Sequence, residues 1–288
     1  MENRNGGKMR ISRECAECIY DKQCQLTENE EYRTKVKSIL DGRNDTMTSP
    51  LAIYEFSKLY ESMFGKGMDY APIKREFNDL VLSMEEELWE KIRQSEDPLL
   101  TSILYARIGN YIDFGAMTNV DPEEFLALFD EVLPSGKDLE TYASFQKECE
   151  AAKTFLLAAD NCGEIVLDKL LIRELKKRFP HLSVSVMVRG GEVINDVTEE
   201  DALYTGIDQD ARIISTGYPV PGIEYSRMSG EARTVLDQAD VILSKGQGNY
   251  ESLSGTGRHV FFLFLCKCAL FEKRFGVSRL SGMFIEER

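Results

Sequence analysis

Histidine is almost missing from this chain, with only His181 and His259 in 288 residues, far apart in sequence. That scarcity speaks against the histidine-built ligand sets of catalytic zinc sites, and no HxxxH pair occurs. A second CxxC is also lacking, so Cys15-x-x-Cys18, with Cys24 nearby, is at most part of a four-ligand site. The seven cysteines (15, 18, 24, 149, 162, 266 and 268) are an odd number. The amino terminus, MENRNGGKMRISREC, has no apolar signal core. A cytoplasmic protein without a disulfide framework is therefore expected. The Cys15/Cys18 pair stays open between a second metal or redox site and reduced, partly buried thiols. No apolar run reaches the ~18 residues of a membrane span, so no membrane partner is expected. Positive charge is in deficit as well: 35 Lys and Arg stand against 49 Asp and Glu, a formal net charge of −14. That balance argues against nucleic-acid partners, which need a basic face. A small anion remains compatible, because a few local lysines or a metal can outweigh the global field.

What is present is ordinary soluble-protein chemistry, 43% hydrophobic and 29% charged, and long enough for one large domain or two. Residues 1–150 show helical periodicity, few β-branched runs and no internal repeat. Ser49-Pro50 reads as a helix start with Ser49 as N-cap. Further helices are expected over about 73–95, from Leu99 to Gly109, and after Asp121-Pro122, with Gly136-Lys137-Asp138 as a loop before one more.

From Lys153 the pattern becomes alternating strand and helix. Strands are expected at 155–159, 183–188, 211–216, 240–244 and 259–265, each followed by a turn and a helical segment. Five strands in this arrangement predict an α/β protein, three-layer α/β/α with a mostly parallel sheet, plus a helical amino-terminal part. The expected division is a helical region over 1–150 that contributes to the active-site cleft and a catalytic core over 151–288.

In a parallel sheet the carboxyl ends of the strands share one edge, where ligands bind. That edge gathers Asp160-Asn161 after the first strand, with a helix start offering free N–H groups to an anion. It also gathers Arg189 and Asn195-Asp196 after the second, Lys245-Gly246-Gln247-Gly248-Asn249-Tyr250-Glu251 after the fourth, and Lys267 after the fifth. Oxygen ligands without histidine suit magnesium or manganese, and lysines beside such a metal suit a phosphate. Each piece has a plain alternative. Asp160-Asn161 and Asn195-Asp196 read equally as caps or turns. Lys245-Gly246 reads as a solvated turn, Arg189 as a surface ion pair and Lys267 as a snorkelling lysine. Only their common position at strand ends favours a joint site.

These segments also carry a resemblance. DNCGEIVLD, VRGGEVINDVTEEDA, SKGQGNYESL and LCKCA, in this order, resemble the metal-binding core of the DUF89 family, the ARMT1-like damage-control phosphatases. RIGNYIDFGA resembles a further family segment, and the early CAEC pair its prokaryotic branch. The resemblance implies a metal-dependent phosphatase of small phosphometabolites such as sugar phosphates. By motif it implies that Asp160, Asn161 and Asp196 hold a divalent cation (manganese, magnesium, cobalt or nickel). Lys245 and Lys267 would contact the transferring phosphate. Asn249 and Glu251 would line the pocket, with Arg189 on the substrate side. Asn110 and Asp113 would approach from the helical part. The pattern departs at Gly191-Glu192, where a Lys-Pro pair is expected, and at Cys162, where a smaller residue is usual.

The implied chemistry is phosphomonoester hydrolysis, the nucleophile being either water or the Asp160 carboxylate. Three rivals stand beside it. A carboxyl methyltransferase using S-adenosylmethionine usually wants a glycine-rich turn after the first strand, and DNCG has one glycine. The second is a non-catalytic phosphometabolite-binding protein. The third makes the CxxC pair the main business. No signature in the chain specifies an oligomer.

Overall fold

The computed structural model describes residues 9–44, 47–111 and 122–288. Its amino-terminal part is helical: α1 (Arg13–Leu26), α2 (Glu30–Asp41), α3 (Ser49–Phe64), α4 (Ala71–Gln94), α5 (Pro98–Gly109), α6 (Pro122–Glu131) and α7 (Gly136–Ala151). The punctuation follows from local chemistry. Asp97 caps α5 ahead of Pro98, and Ser135 with Asp138 forms a capping box at α7. The cap of α3 is Thr48 rather than Ser49, which is already helical. Thr48 Oγ1 accepts from the Leu51 N–H and donates to the buried Glu224, a partner 176 positions away.

The rest alternates: β1 (Thr154–Ala158), α8 (Glu164–Arg178), β2 (Ser183–Val188), α9 (Glu199–Thr205), β3 (Arg212–Ser215), α10 (Gly230–Gln238), β4 (Val241–Lys245), α11 (Gln247–Leu253), β5 (Val260–Leu265), α12 (Ala269–Phe275) and β6 (Gly282–Glu287). The sheet has six strands in the order β3-β2-β1-β4-β5-β6. Five are parallel, and β6 runs antiparallel to β5, with Leu263 opposite Phe284. The sixth strand corrects the expected count of five.

Alternating side chains divide the sheet's burial between two faces. Phe155 and Leu157 of β1 join Val186, Leu243 and Leu263 in a core closed by α5, α7, α8 and α9. Leu156 and Ala158 face the other way, into a core closed by Tyr250, Leu253 and Phe271 of α11 and α12, with Leu236 of α10. This is the three-layer α/β/α architecture. The opposite side of α8 packs on α4 and α6 through Val166, Leu167 and Leu170. Helices α1, α2 and α3 build a separate cluster around Tyr32, Val36 and Phe56. Among the described residues no helix is long and apolar enough to cross a membrane.

The strand order grows outward from β1 on one side and from β4 on the other. The topological switch point therefore lies between them, and the open edge beyond their carboxyl ends is where such sheets hold ligands.

Candidate active site

Two chain segments meet at that edge. After β1 the backbone continues through Asp160 and Asn161, and Asn161 forms an isolated antiparallel bridge with Asp196. The loop carrying Asp196 is zipped against it: Val197 N–H donates to Asp160 O at 2.9 Å, and Cys162 N–H to Asn195 O at 2.9 Å. The expected convergence of Asp160, Asn161 and Asp196 is therefore present in the structure. Gly190 lets the second segment lie directly against the Gly217-Tyr218 backbone, because a β-carbon there would lie 2.0 Å from Tyr218 N.

Arg189, almost wholly buried, sits between the two acids. Its Nε donates to Asp196 Oδ2 at 2.6 Å and its Nη2 reaches Asp160 Oδ1 at 3.4 Å. It is no surface ion pair. Its Nη1 is buried with no hydrogen-bond partner.

Asp160 is held from the other side by amides. Asn110 Nδ2 donates to Asp160 Oδ2 at 3.1 Å and Asn161 Nδ2 at 2.8 Å. Asn110, from the turn after α5, is itself fixed because its Oδ1 accepts from the Leu265 N–H at 3.1 Å. Burial drives the Asp160 carboxyl up to about 8, reinforced by the charges of Asp196 and Glu164 and opposed by Arg189 and Lys267. The site is short of positive charge, and its donors are hard oxygens. That is the donor set a divalent cation such as magnesium or manganese takes.

Several expected residues occupy other places. Lys245 does not reach the edge. It is fully buried, and its Nζ donates to Glu164 Oε1 (2.6 Å), Asp168 Oδ1 (2.5 Å) and Ala106 O (3.0 Å). Three acceptors use its three donors, so in this arrangement none remains for a phosphate. Asn249 is buried too, and its Nδ2 bonds the carbonyls of Ala159 at 3.0 Å and Lys245 at 2.7 Å, tying β1 to β4. Its Oδ1 has no partner. Glu251 bonds Ser49 at the start of α3, and desolvation raises its carboxyl to about 7. Lys267 is half-buried, its backbone N–H donating to Gln247 Oε1, and its charge reaches Asp160. Asp113 lies outside the described residues.

The start of α8 is not the open anion cradle that the sequence predicts. Gly163 N–H donates to Asn78 Oδ1 of α4 at 2.7 Å, Ile165 N–H to Asn161 O and Val166 N–H to Gly163 O. Glu192, at the departure from the family pattern, accepts from the buried Lys74 Nζ at 2.9 Å, which also pairs with Asp201 Oδ2 at 2.6 Å. The Cys15 Sγ lies 3.4 Å from Ser49 Oγ, and burial pushes its thiol up to about 11. All seven cysteines are free. Among the described residues the group of three ligand atoms within 4.8 Å of one another is Glu148, His259 and Glu286. His259 precedes β5, at the end of the sheet away from the site, and the group contains no cysteine.

Sequence reasoning missed Glu164 and Asp168. Both are fully buried on α8. Their signal was an acid pair at i and i+4, EIVLD, inside a helix whose residues 164–172 have no exposed face.

Known proteins resemble this chain along nearly its whole length. The model of the damage-control phosphatase ARMT1-like domain matches residues 11–281. A damage-control phosphatase of Archaeoglobus fulgidus is 29% identical over 283 residues, covering 94% of this chain and 96% of its own. One from Pyrococcus horikoshii is 26% identical, covering 90% and 92%. The crystal structure of a DUF89 family protein from Pyrococcus horikoshii superposes with a TM-score of 0.80 at 24% identity, covering 97% of this chain and all of that one, and so shares the fold. With the family model spanning nearly its whole length, the chain belongs to the ARMT1-like damage-control phosphatase family.

Proposed function

We propose that the protein hydrolyses phosphomonoesters of small phosphorylated metabolites, with a divalent cation held by Asp160, Asn161 and Asp196. The observation that supports this reading most directly is a pair of largely buried carboxylates, carried by the segments that follow β1 and β2, beside one buried arginine that pairs with both. The phosphatase role of the family agrees with it. When bound, the cation would supply Lewis-acid polarisation of a phosphoryl oxygen and charge for the transferring group.

The chain's own residues do the rest. Asn110 and Asn161 hold Asp160 Oδ2, which fixes the direction of its carboxylate. Arg189 holds Asp196 and keeps one donor, Nη1, unpaired beside the acids, suited to an anionic oxygen. Lys267 adds positive charge at the end of β5. Metal-stripped protein should release no phosphate from a panel of sugar and other small phosphate esters, and adding manganese, cobalt or magnesium should restore release. Asp160→Ala and Asp196→Ala should abolish turnover while leaving the circular dichroism spectrum unchanged. Full turnover by metal-stripped Asp160→Ala protein would end the proposal.

A further inference from the structure

A buried hydrogen-bonded cluster lies beneath the site, and the proposed reaction makes no direct use of it. Glu164, Asp168 and Lys245 are fully buried at the start of α8 and the end of β4. Glu164 Oε2 accepts from two amides at once, Asn110 Nδ2 and Asn161 Nδ2, both at 3.0 Å. The same two nitrogens reach Asp160 Oδ2. Glu164 Oε1 is held by Lys245 Nζ, which is anchored in turn by Asp168 Oδ1 and Ala106 O.

A side-chain amide can present its nitrogen or its oxygen in nearly the same volume, and its hydrogen bonds decide which. Asn110 is settled from both ends, because Leu265 N–H donates to its oxygen. Asn161 is settled by acceptors alone, the oxygens of Asp160 and Glu164, which draw its nitrogen inward. Its carbonyl oxygen is then the atom left for a cation. We propose that Glu164 is a positioning residue that sets the orientation of the Asn161 amide, with Lys245 and Asp168 clamping Glu164 so that an acceptor always faces the two asparagines. This inference rests on the reading of Asn161 as a cation ligand. Glu164 itself has both oxygens occupied and acts only through Asn161.

The geometry gives a test that a merely structural role would fail. In Glu164→Gln the lysine claims the single side-chain oxygen, and the introduced amide nitrogen then faces the nitrogens of Asn110 and Asn161. Donors opposing donors remove one of the two acceptors that settle Asn161 and set a repulsion against its inward nitrogen, so that only Asp160 Oδ2 still favours the oxygen-outward amide. Affinity for Mn2+, read without substrate by titration under electron paramagnetic resonance, should fall about 10- to 100-fold, the usual effect of losing a partner behind a ligand. Glu164→Gln/Lys245→Met removes the competing donor, frees the introduced amide oxygen to face the asparagines, and should recover most of that affinity. Wild-type affinity in the single variant, or no recovery in a folded double variant, would overturn the inference. A crystal structure of the wild-type protein with Mn2+ tests it without any variant: Asn161 Oδ1 should coordinate and Glu164 should not, and coordination by Glu164 would refute it. Absence of Mn2+ binding by the wild type would overturn both this inference and the cation-site reading. Binding that follows the predicted pattern without phosphate release would uphold the inference and reject hydrolysis alone.

Discussion

At φ +77°, Gly246 stands where a β-carbon would lie 1.9 Å from Asp160 Oδ2 and 2.2 Å from its carboxyl carbon. Those oxygens cannot move aside cheaply, since two amides and Arg189 hold them. Gly246→Ala is therefore expected to destabilise the fold by about 2 kcal/mol from the positive φ alone and to displace Asp160 as well. Thermal denaturation together with Mn2+ titration measures both effects, and an unchanged Mn2+ affinity would count against the site as drawn. Glu251 offers a pH signature. Its carboxyl rises from an ordinary 4.5 to about 7, mainly through desolvation, with the Ser49 bond opposing. Between these values the folded state holds a proton that the unfolded state has lost, so this group's contribution to stability falls as pH rises from about 4.5 through 7. Allowing for its partial exposure, the loss is on the order of 2 kcal/mol. Glu251→Gln should therefore be more stable than wild type at pH 8, with the difference vanishing near pH 4. Equal melting temperatures of the two proteins at pH 8 would contradict the assignment.

Among the elements, strands were the most legible. β2 falls at 183–188 as its SVSVMV run predicts, and the other parallel strands shift by about one residue, because buried parallel strands announce themselves as apolar runs. β6 gave no such signal. GMFIEE mixes polar and apolar residues because it is an edge strand with one side toward solvent, and its pairing to β5 is fixed by neither its length nor its composition. The three proposed cation ligands could be read from strand ends for the same topological reason. The destination of Lys245 could not, since only the packing of α8 against β4 and α5 shows that it points beneath the sheet edge. Lys74 is a similar case on α4. It is 1% exposed and bridges Glu192 in the site loop and Asp201 in the cap of α9. Lys74→Ala leaves Asp201 without its cation and should cost about 3 kcal/mol in chemical denaturation, whereas a surface lysine such as Lys58 should cost under about 1. A similar small loss for both would show that the bridge contributes nothing.

For the molecule as a whole, the helical and alternating halves of the sequence are joined by one core. Leu99, Ile103 and Ala106 of α5 and Tyr142, Phe145 and Cys149 of α7 pack in the same cluster as Phe155, Leu157, Leu243 and Phe261 of the sheet. The approach of α5 to α8 is close, for a β-carbon on Gly109 would meet the Glu164 backbone Cα at 3.2 Å and Leu167 Cδ1 at 2.8 Å. The helical half also delivers polar groups that the sheet edge cannot supply, Asn78 to Gly163 N–H and Asn110 to Asp160. We therefore expect the fragment 151–288 not to fold alone, although it carries all six strands of the sheet and all three proposed cation ligands. Cutting before residue 151 uncovers the part of the sheet face that α5 and α7 close and the stripe of α8 that packs on α4 and α6, a contiguous apolar area larger than a soluble monomer leaves uncovered. The isolated fragment should bind the dye ANS, lack near-ultraviolet circular dichroism, melt without a cooperative transition and fail to bind Mn2+. Adding the fragment 1–150 in trans should restore all four properties together, because the interface is a core cut in two rather than a contact between finished domains. Cooperative unfolding of 151–288 by itself, with Mn2+ affinity intact, would instead make the helical half an accessory, and Asn110 dispensable to the site.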